Sequence, residues 1–448
     1  MFLFEHRGRA RSLLARLIGI GLCLCAAGLP LAAEGSGGKA VVSPEVMHTE
    51  AAPTGYEVTF RYYAPQAERV QIKGEWAFST PDGKSGLTPS QWVVGAYPAG
   101  DWPVADMTKG KDGVWTYTIP LPSGVFTYSF YVNNQEADVS KAQSLSDPSN
   151  LPWNEKGEKV QGSVEATSQV FVPSDRKFGT VNYWWQEPVV DLPRGIVESV
   201  AYASPTHETP VGQNTLVVYT PPRYDPRRSE PYPTLYLSHG GGGNEVDWST
   251  QGDVPAILDN LIDLGQIQPM VVVMTNFNGY ALNFPKAGWD KVVVNDIAGT
   301  VVSYVESHYN VAAKADKRAF AGLSAGGALS HRMLLDHGDS FGYFGFFSPG
   351  GGTLLSEQNT DQVKSFKNIG FFVGGGLEEP LSFMGTSGPR ANAVKDVATL
   401  VAAGIAVTPD FIHGTHEWYV WRILLHDFLT RTAFWPATDR LADSSVSK

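Results

Sequence analysis

Between residues 234 and 414 six short apolar runs recur: "TLYLSHG", "PMVVVMTN", "RAFAGLS", "FGYFGFFSPG", "IGFFVGGG" and "AVTPDFIHG", with helical segments between them. No other feature constrains the fold as tightly. Continuous apolar runs suit strands buried on both faces, and strand–helix succession sets such strands parallel in one sheet with helices on both sides. One helical segment, "DKVVVNDIAGTVVSYVESHY", puts Ile297, Val301, Tyr304 and Val305 on a common face. The predicted class is therefore α/β, and in such sheets ligands bind beyond the carboxyl ends of the strands.

One of those ends carries "AGLSAGG", residues 321–327. Gly-X-Ser-X-Gly between a strand and a helix suits a turn too tight for larger neighbours, with the Ser324 hydroxyl at its tip. The helix would begin at Ala325, so its unpaired N–H groups and positive end face the place where an oxyanion would develop. A nucleophile of this kind calls for an acid after a later strand and a histidine after the last one. "FFVGGGLEEPLS" offers Glu378 and Glu379, and "DFIHGTHEWYVWRILLHDFL" offers His416 ahead of a helix. In this order His416 is the general base for Ser324, and Glu379 fixes the imidazole tautomer, with Glu378 as the alternative acid. Upstream, "YLSHGGGGNEVDW" sets four glycines after a strand, so the N–H of Gly241 can join that of Ala325 in an oxyanion hole. His239 would brace that loop through its ring, and Asp247 and Trp248 would anchor it. His331 reads as a buried hydrogen-bonding residue, His413 and His426 as turn and helix-face positions. The scattered histidines suggest no zinc site, and the chemistry requires no cofactor.

The segments "YPTLYLSHGGGGNEVDW", "AGLSAGG", "GLEEPL" and "HGTHEWYVWRILLHDFL" resemble the esterase family that includes feruloyl esterases of carbohydrate esterase family 1 and enterochelin esterases, with mycolyltransferases more distant. The likeness runs from about residue 190 to 435. It implies an α/β-hydrolase domain and a serine esterase working through an acyl-enzyme. Two departures stand out. The family pattern Gly-Thr-x-Asp-x-Leu here reads "GLEEPL", and aligning Gly376 and Leu381 puts Glu379 at the acid's place. Ala325 stands where Met is common, which alters pocket shape more than chemistry.

The N-terminal half reads differently. "YEVTFRYYAPQAERVQIKGEW" and "DGVWTYTIPLPSGVFTYSFYVNN" are short runs rich in Val, Tyr, Phe and Thr, separated by Pro, Gly and Asp. They predict an all-β, immunoglobulin-like sandwich over residues 51–140. The segments "FRYYAPQAERV" and "DGVWTYTIPLPSGVFTYSF" are similar to family 48 carbohydrate-binding modules. Trp76, Trp92, Trp102 and Trp115 could stack on sugar rings or pack the core. Residues 141–190 lack a sustained period and read as a connector; its "NYWWQEP" places Trp184 and Trp185 as candidates for one side of the cleft.

The first 33 residues carry four arginines in "HRGRARSLLAR" and then apolar "LIGIGLCLCAAGLPLAA"; "EGSGG" follows. This is the pattern of a secretory signal peptide cleaved after Ala33, and it implies a periplasmic or secreted bacterial protein. A retained membrane anchor is the alternative. Residues 34–50 read as linker, 191–436 as the catalytic domain and 437–448 as a tail. Cys23 and Cys25 are the only cysteines and both lie in the leader, so the mature chain would have no disulfide and no thiolate nucleophile. A net charge of −11 argues against nucleic acid or an anionic membrane as partner. The residues and the resemblance together point to an ester-bearing carbohydrate or small molecule as substrate, such as feruloylated xylan. A siderophore lactone esterase, a non-catalytic sugar-binding protein and an acyltransferase are the alternatives.

Overall fold

The computed structural model describes residues 41–435 apart from 81, 100–101, 137–138, 140–141, 151–166, 180, 190, 354–359 and 384. The leader and the tail lie outside the described residues.

The N-terminal domain is two four-stranded antiparallel sheets. The first has the order β1-β2-β9-β8, formed by β1 (Glu45–His48), β2 (Tyr56–Tyr63), β8 (Thr108–Lys109) and β9 (Val114–Pro120). The second has the order β11-β10-β3-β7, formed by β3 (Val70–Gly74), β7 (Val104–Asp106), β10 (Gly124–Val132) and β11 (Ser168–Val172). Val58, Phe60, Ile72, Phe126, Tyr128 and Phe130 fill the space between them. Alternating residues of facing strands meet there, as sandwich geometry requires. A small third sheet joins β4 (Phe78–Ser79), β5 (Ser85–Leu87) and β6 (Tyr97–Pro98). Two boundaries differ from expectation. β1 lies in the stretch read as linker, and β11 lies in the stretch read as connector, where it pairs Ser168–Val172 with Tyr128–Gly124. Both are too short to show a period of their own.

The C-terminal domain is built on one eight-stranded sheet. Its strands are β12 (Ile196–Glu208), β13 (Val211–Thr220), β14 (Thr234–Ser238), β15 (Val271–Thr275), β16 (Arg318–Leu323), β17 (Tyr343–Phe347), β18 (Gly370–Gly376) and β21 (Val407–Ile412). They lie in the order β12-β13-β15-β14-β16-β17-β18-β21. Only β13 runs against its neighbours; β14 to β21 pair in parallel. All six predicted apolar runs are among these strands. The pair β19 (Ser382–Phe383) and β20 (Thr386–Ser387) forms a separate ribbon.

Among the described residues the α-helices are, in chain order, α1 (Val254–Asp263), α2 (Trp289–Asp296), α3 (Val302–His308), α4 (Ala325–His337), α5 (Thr360–Ser365), α6 (Pro389–Ala402) and α7 (Trp418–Arg431). Val293 of α2, Leu329 of α4 and Leu400 of α6 pack on one face of the sheet, with Val271 and Val273. Leu258 of α1 and Leu424 and Phe428 of α7 pack on the other, with Val272 and Met274. Burial on both faces is why β15 is apolar at every position. The predicted helix over 290–309 is α2 and α3 joined by a π turn, Ile297–Val301. Ile297, Val301 and Val305 keep their common buried face through it.

The two domains meet across β10. Its sequence suggests alternation, yet every residue from Gly124 to Tyr131 is buried. One side faces the sandwich core; on the other, Val125 and Thr127 meet the connector and the C-terminal domain. Arg422 of α7, fully buried, donates to the Val125 carbonyl at 3.0 Å, to Thr127 Oγ1 at 3.1 Å and to Glu75 Oε2 at 2.9 Å. Its Nε donates to the Gln251 carbonyl at 2.7 Å. Three buried carboxylates surround this one guanidinium. Burial, reinforced by Glu75, pushes Glu417 up to about 8, and burial also holds Asp253 well above the usual carboxylate range. Near neutral pH Glu417 is therefore largely protonated, and Glu75 is the carboxylate that Arg422 reaches directly.

Because Arg422 and β10 are desolvated together, the two domains should melt as one unit. Phe60→Ala, which empties part of the sandwich core at a cost of about 3–5 kcal/mol, should lower a single calorimetric transition. A separate early transition for the sandwich would contradict this. The pH dependence has a definite sign. A carboxyl whose folded pKa is raised binds its proton more tightly in the native state, so its contribution is full below the unfolded value and is lost as pH rises toward about 8. Glu417→Gln should therefore flatten the fall in melting temperature between roughly pH 5 and 8; an unchanged slope would contradict the assignment.

Candidate active site

Ser324 lies at the carboxyl end of β16 and directly precedes α4, with φ 52° and ψ −113°. A non-glycine residue at positive φ is strained by about 1–3 kcal/mol and persists only where its surroundings hold it. Here three backbone bonds do so. Ser324 N donates to Phe347 O at 2.9 Å, while Ser324 O accepts from Gly350 N at 2.9 Å and Ala328 N at 3.2 Å. The flanking glycines are required by contact. A Cβ on Gly326 would lie 2.6 Å from the Ser238 carbonyl oxygen, and one on Gly322 would lie 2.5 Å from the carbonyl carbon of Gly326.

The glycine loop passes over this turn. A Cβ on Gly240 would stand 3.5 Å from Ser324 Cβ, and one on Gly241 would stand 2.8 Å from the ring of Phe284. Ala325 is the first residue of α4, where the helix supplies no acceptor for its N–H. His239 is fully buried behind the loop, with its ring stacked 3.8 Å from that of Phe277. Its Nδ1 donates to Gly240 O at 2.8 Å and its Nε2 accepts the Phe277 N–H at 3.4 Å. Burial lowers its pKa to about 4, so the ring is neutral and acts as a brace. Asp247 Oδ2 accepts the Asn244 N–H at 3.1 Å, and Trp248 Nε1 donates to Ser238 O at 2.9 Å. Asp247 closes the loop on itself, and Trp248 fastens it to the end of β14.

β18 and β21 end on the same edge of the sheet as β16, since β16, β17, β18 and β21 are parallel neighbours. The turn after β18 carries Glu378 and Glu379; the turn after β21 carries His413 and His416. The two glutamates take different histidines. His416 Nδ1 lies 3.4 Å from Glu379 Oε1, a long hydrogen bond of the kind that tightens when substrate binds. Glu378 Oε1 lies 2.9 Å from His413 Nδ1, and its Oε2 accepts the Gly414 N–H at 2.6 Å. The Glu379 side chain is fully buried, and that of His416 is 22% exposed. An Nδ1–H directed at the carboxylate leaves Nε2 unprotonated and able to accept a proton.

Ser348 carries no motif, yet it links these parts. It directly follows β17 at φ 47°, and its Oγ donates to Glu379 Oε1 at 2.5 Å while accepting from Trp421 Nε1 at 3.1 Å. Trp421 also meets the His416 ring edge-on at 5.0 Å. The 347–350 turn thus touches the Ser324 backbone on one side and the Glu379 carboxylate on the other. Phe284 is the second residue without a sequence signal. It rests on Gly241 and edge-on against Trp289 at 5.3 Å.

Trp185 requires a correction. It is 6% exposed, stacks on His426 at 4.3 Å and packs with α1 and α7. Asn260 Nδ2 donates to its carbonyl at 3.0 Å. Its ring is a structural wedge holding the connector to the catalytic domain, and Trp184 packs partly buried against the same cluster. Trp76 and Trp115 are likewise core residues of the sandwich, while Trp92 and Trp102 are partly buried. His331 is fully buried 2.6 Å from Asp396, although the approach falls outside hydrogen-bonding angles.

The family model Esterase matches residues 208–432, about half of the chain. The bifunctional endo-1,4-beta-xylanase/feruloyl esterase of Xylanibacter ruminicola is 31% identical over 332 residues, covering 70% of this chain and 39% of that protein. Endo-1,4-beta-xylanase Y of Acetivibrio thermocellus is 33% identical over 147 residues, 30% of this chain and 13% of its own length. The chain spans well under half the length of these relatives. Among solved structures, enterobactin esterase from Shigella flexneri, determined in the presence of 2,3-dihydroxy-N-benzoyl-serine, has a TM-score of 0.51 at 16% identity, covering 86% of this chain and 95% of that one. A CE1 ferulic acid esterase from Anaeromyces mucronatus in complex with ferulic acid has a TM-score of 0.49 at 18% identity, covering 57% of this chain and 97% of that one. The sheet order, the turn at Ser324 and the family match agree: the chain belongs to the Esterase family, with an α/β-hydrolase-like catalytic domain behind an all-β N-terminal domain.

Proposed function

We propose that the protein is a serine carboxylic ester hydrolase working through an acyl-enzyme on Ser324. One observation carries the reading: a buried carboxylate, Glu379, faces Nδ1 of His416 at the sheet edge where the strained Ser324 turn also stands. Ser324 Oγ attacks the ester carbonyl carbon as His416 Nε2 takes its proton. The carbonyl oxygen becomes an oxyanion facing the N–H groups of Ala325 and Gly241, aided by the positive end of α4. The tetrahedral adduct collapses, the alcohol leaves with the proton from the imidazolium, and the acyl group stays on Ser324. Water, deprotonated by His416, then attacks the acyl carbon and releases the acid. Glu379 keeps the proton on Nδ1 and stabilises the imidazolium in both halves.

The substrate class we infer is a feruloyl-type aromatic ester on plant polysaccharide or oligosaccharide. The resemblance to feruloyl esterases and the aromatic face of Phe284 beside Gly241 support it. The leader pattern fits action in the periplasm or outside the cell. If the sandwich binds sugar, as its likeness to carbohydrate-binding modules implies, residues other than the buried Trp76 and Trp115 make the contact. A siderophore lactone is the second reading, favoured by the fold likeness to enterobactin esterase, which extends over both domains.

A fluorophosphonate should label the folded protein at Ser324, and Ser324→Ala should abolish labelling and lower kcat at least about a thousandfold. An unlabelled wild-type protein would reject the hydrolase reading. Release of ferulate from methyl ferulate, set against hydrolysis of a catechol trilactone, separates the two substrates. Glu379→Gln should lower kcat by about a thousandfold or more, Glu378→Gln far less; the reverse order would exchange their roles.

A further inference from the structure

The turn that carries His416 is held from the N-terminal domain at two points, each three residues away from it. On one side is His413, whose ring stacks on Tyr97 of β6 at 4.3 Å with an interplanar angle of 12°. On the other is Tyr419, whose backbone N–H donates to Glu75 Oε1 at 2.9 Å. Tyr419 is the second residue of α7, and Glu417, at the N-cap position, makes no side-chain capping bond to the helix. The side chain that satisfies this helix start comes from the other domain. Glu75 is 1% exposed, follows β3 directly, and is itself fixed by Arg422 and by the Thr127 N–H at 3.3 Å.

We propose that Glu75 and Tyr97 are positioning residues for His416, which makes the β-sandwich an integral half of the hydrolytic site. The inference rests on the proposed role of His416 as general base. Within its own domain the turn is tied chiefly to the turn after β18: Leu377 N donates to Ile412 O, Glu378 N to Gly414 O and Gly414 N to Glu378 Oε2, while His413 Nδ1 meets Glu378 Oε1 and His416 Nδ1 meets Glu379 Oε1. A general base displaced by about 1 Å loses about a hundredfold in rate; these bonds hold the turn from the β18 side, and the two contacts from the N-terminal domain hold it from a second direction. Glu75 sets the start of α7, and Tyr97 limits the swing of the residues that precede His416. Neither reaches the reacting atoms. Their effect falls on the geometry of proton transfer and leaves the binding of the acyl group alone.

The test uses the full chain, with active sites counted by fluorophosphonate titration so that misfolded molecules drop out. Glu75→Ala and Tyr97→Leu should each lower kcat per titrated site, and the rate of fluorophosphonate labelling, by about tenfold or more. KM for methyl ferulate should stay within about twofold. Tyr97→Phe, which retains the stacking ring, should restore most of the rate, and Glu75→Gln, which keeps an acceptor for Tyr419 N–H, should lie between Glu75→Ala and wild type. If Glu75→Ala fails to fold, the Tyr97 pair decides the matter alone. Unchanged kcat and labelling per site would overturn the proposal while leaving the hydrolase reading intact. A rise in KM with unchanged kcat would also overturn it, and would give the sandwich a substrate-binding role. A wild-type protein that titrates no site would remove both.

Discussion

The backbone of Ser324 is the constraint on which the catalytic domain is organised. A side-chain-bearing residue at φ 52° needs neighbours that cannot yield, and they come from four places: the end of β14, the start of α4, the end of β17 and the 347–350 turn. Close approach of Gly326 to the Ser238 carbonyl brings the glycine loop to the same spot. The free energy held in this one conformation is about 1–3 kcal/mol. The sheet tolerates it because β14, β16 and β17 are buried on both faces and anchored by helices on each side. Placement of the glycine loop and of Ser324 is thus a single event, and neither can shift without the other.

A second organising contact is the buried guanidinium of Arg422. Burying an ion pair is costly, and such pairs stabilise only when the remaining hydrogen-bonding capacity is satisfied. Arg422 meets that condition with two backbone carbonyls, a hydroxyl and the Glu75 carboxylate. Burial raises both Glu417 and Asp253 above the usual carboxylate range, which favours their neutral forms and limits the negative charge around the guanidinium. The arrangement gains direction more than strength, because only one relative placement of β10 and α7 completes every bond.

Much of this could be read from the chain before folding. The parallel strands β14 to β18 were legible because strands buried on both faces admit almost nothing but apolar residues. Ser324, Glu379 and His416 could be nominated because hydrolytic chemistry demands fixed residue types, in a fixed order, at strand ends. Ser348 could not: a serine before a proline and glycine looks like any other turn, and its value lies in a hydroxyl shared between Trp421 and Glu379. Glu75 was equally silent, since an isolated glutamate after a short strand reads as surface charge until the partner domain buries it. Trp185 misled for the opposite reason. An aromatic cluster in a region without period suggests a binding platform, whereas here the ring fills a gap between α1, α7 and the connector. The β10 pattern failed in the same way, because periodicity records one covered face and cannot register a second one supplied by distant sequence.

That doubly covered strand has a consequence for how the protein can evolve. A module tethered by a flexible segment can be lost, duplicated or exchanged with little harm to its neighbour. Here excision would leave a naked guanidinium and an unroofed helix start where β10 and Glu75 had been. Recombination at this junction is therefore restricted to donors that bring both the strand and its carboxylate, and the two halves are expected to be inherited together.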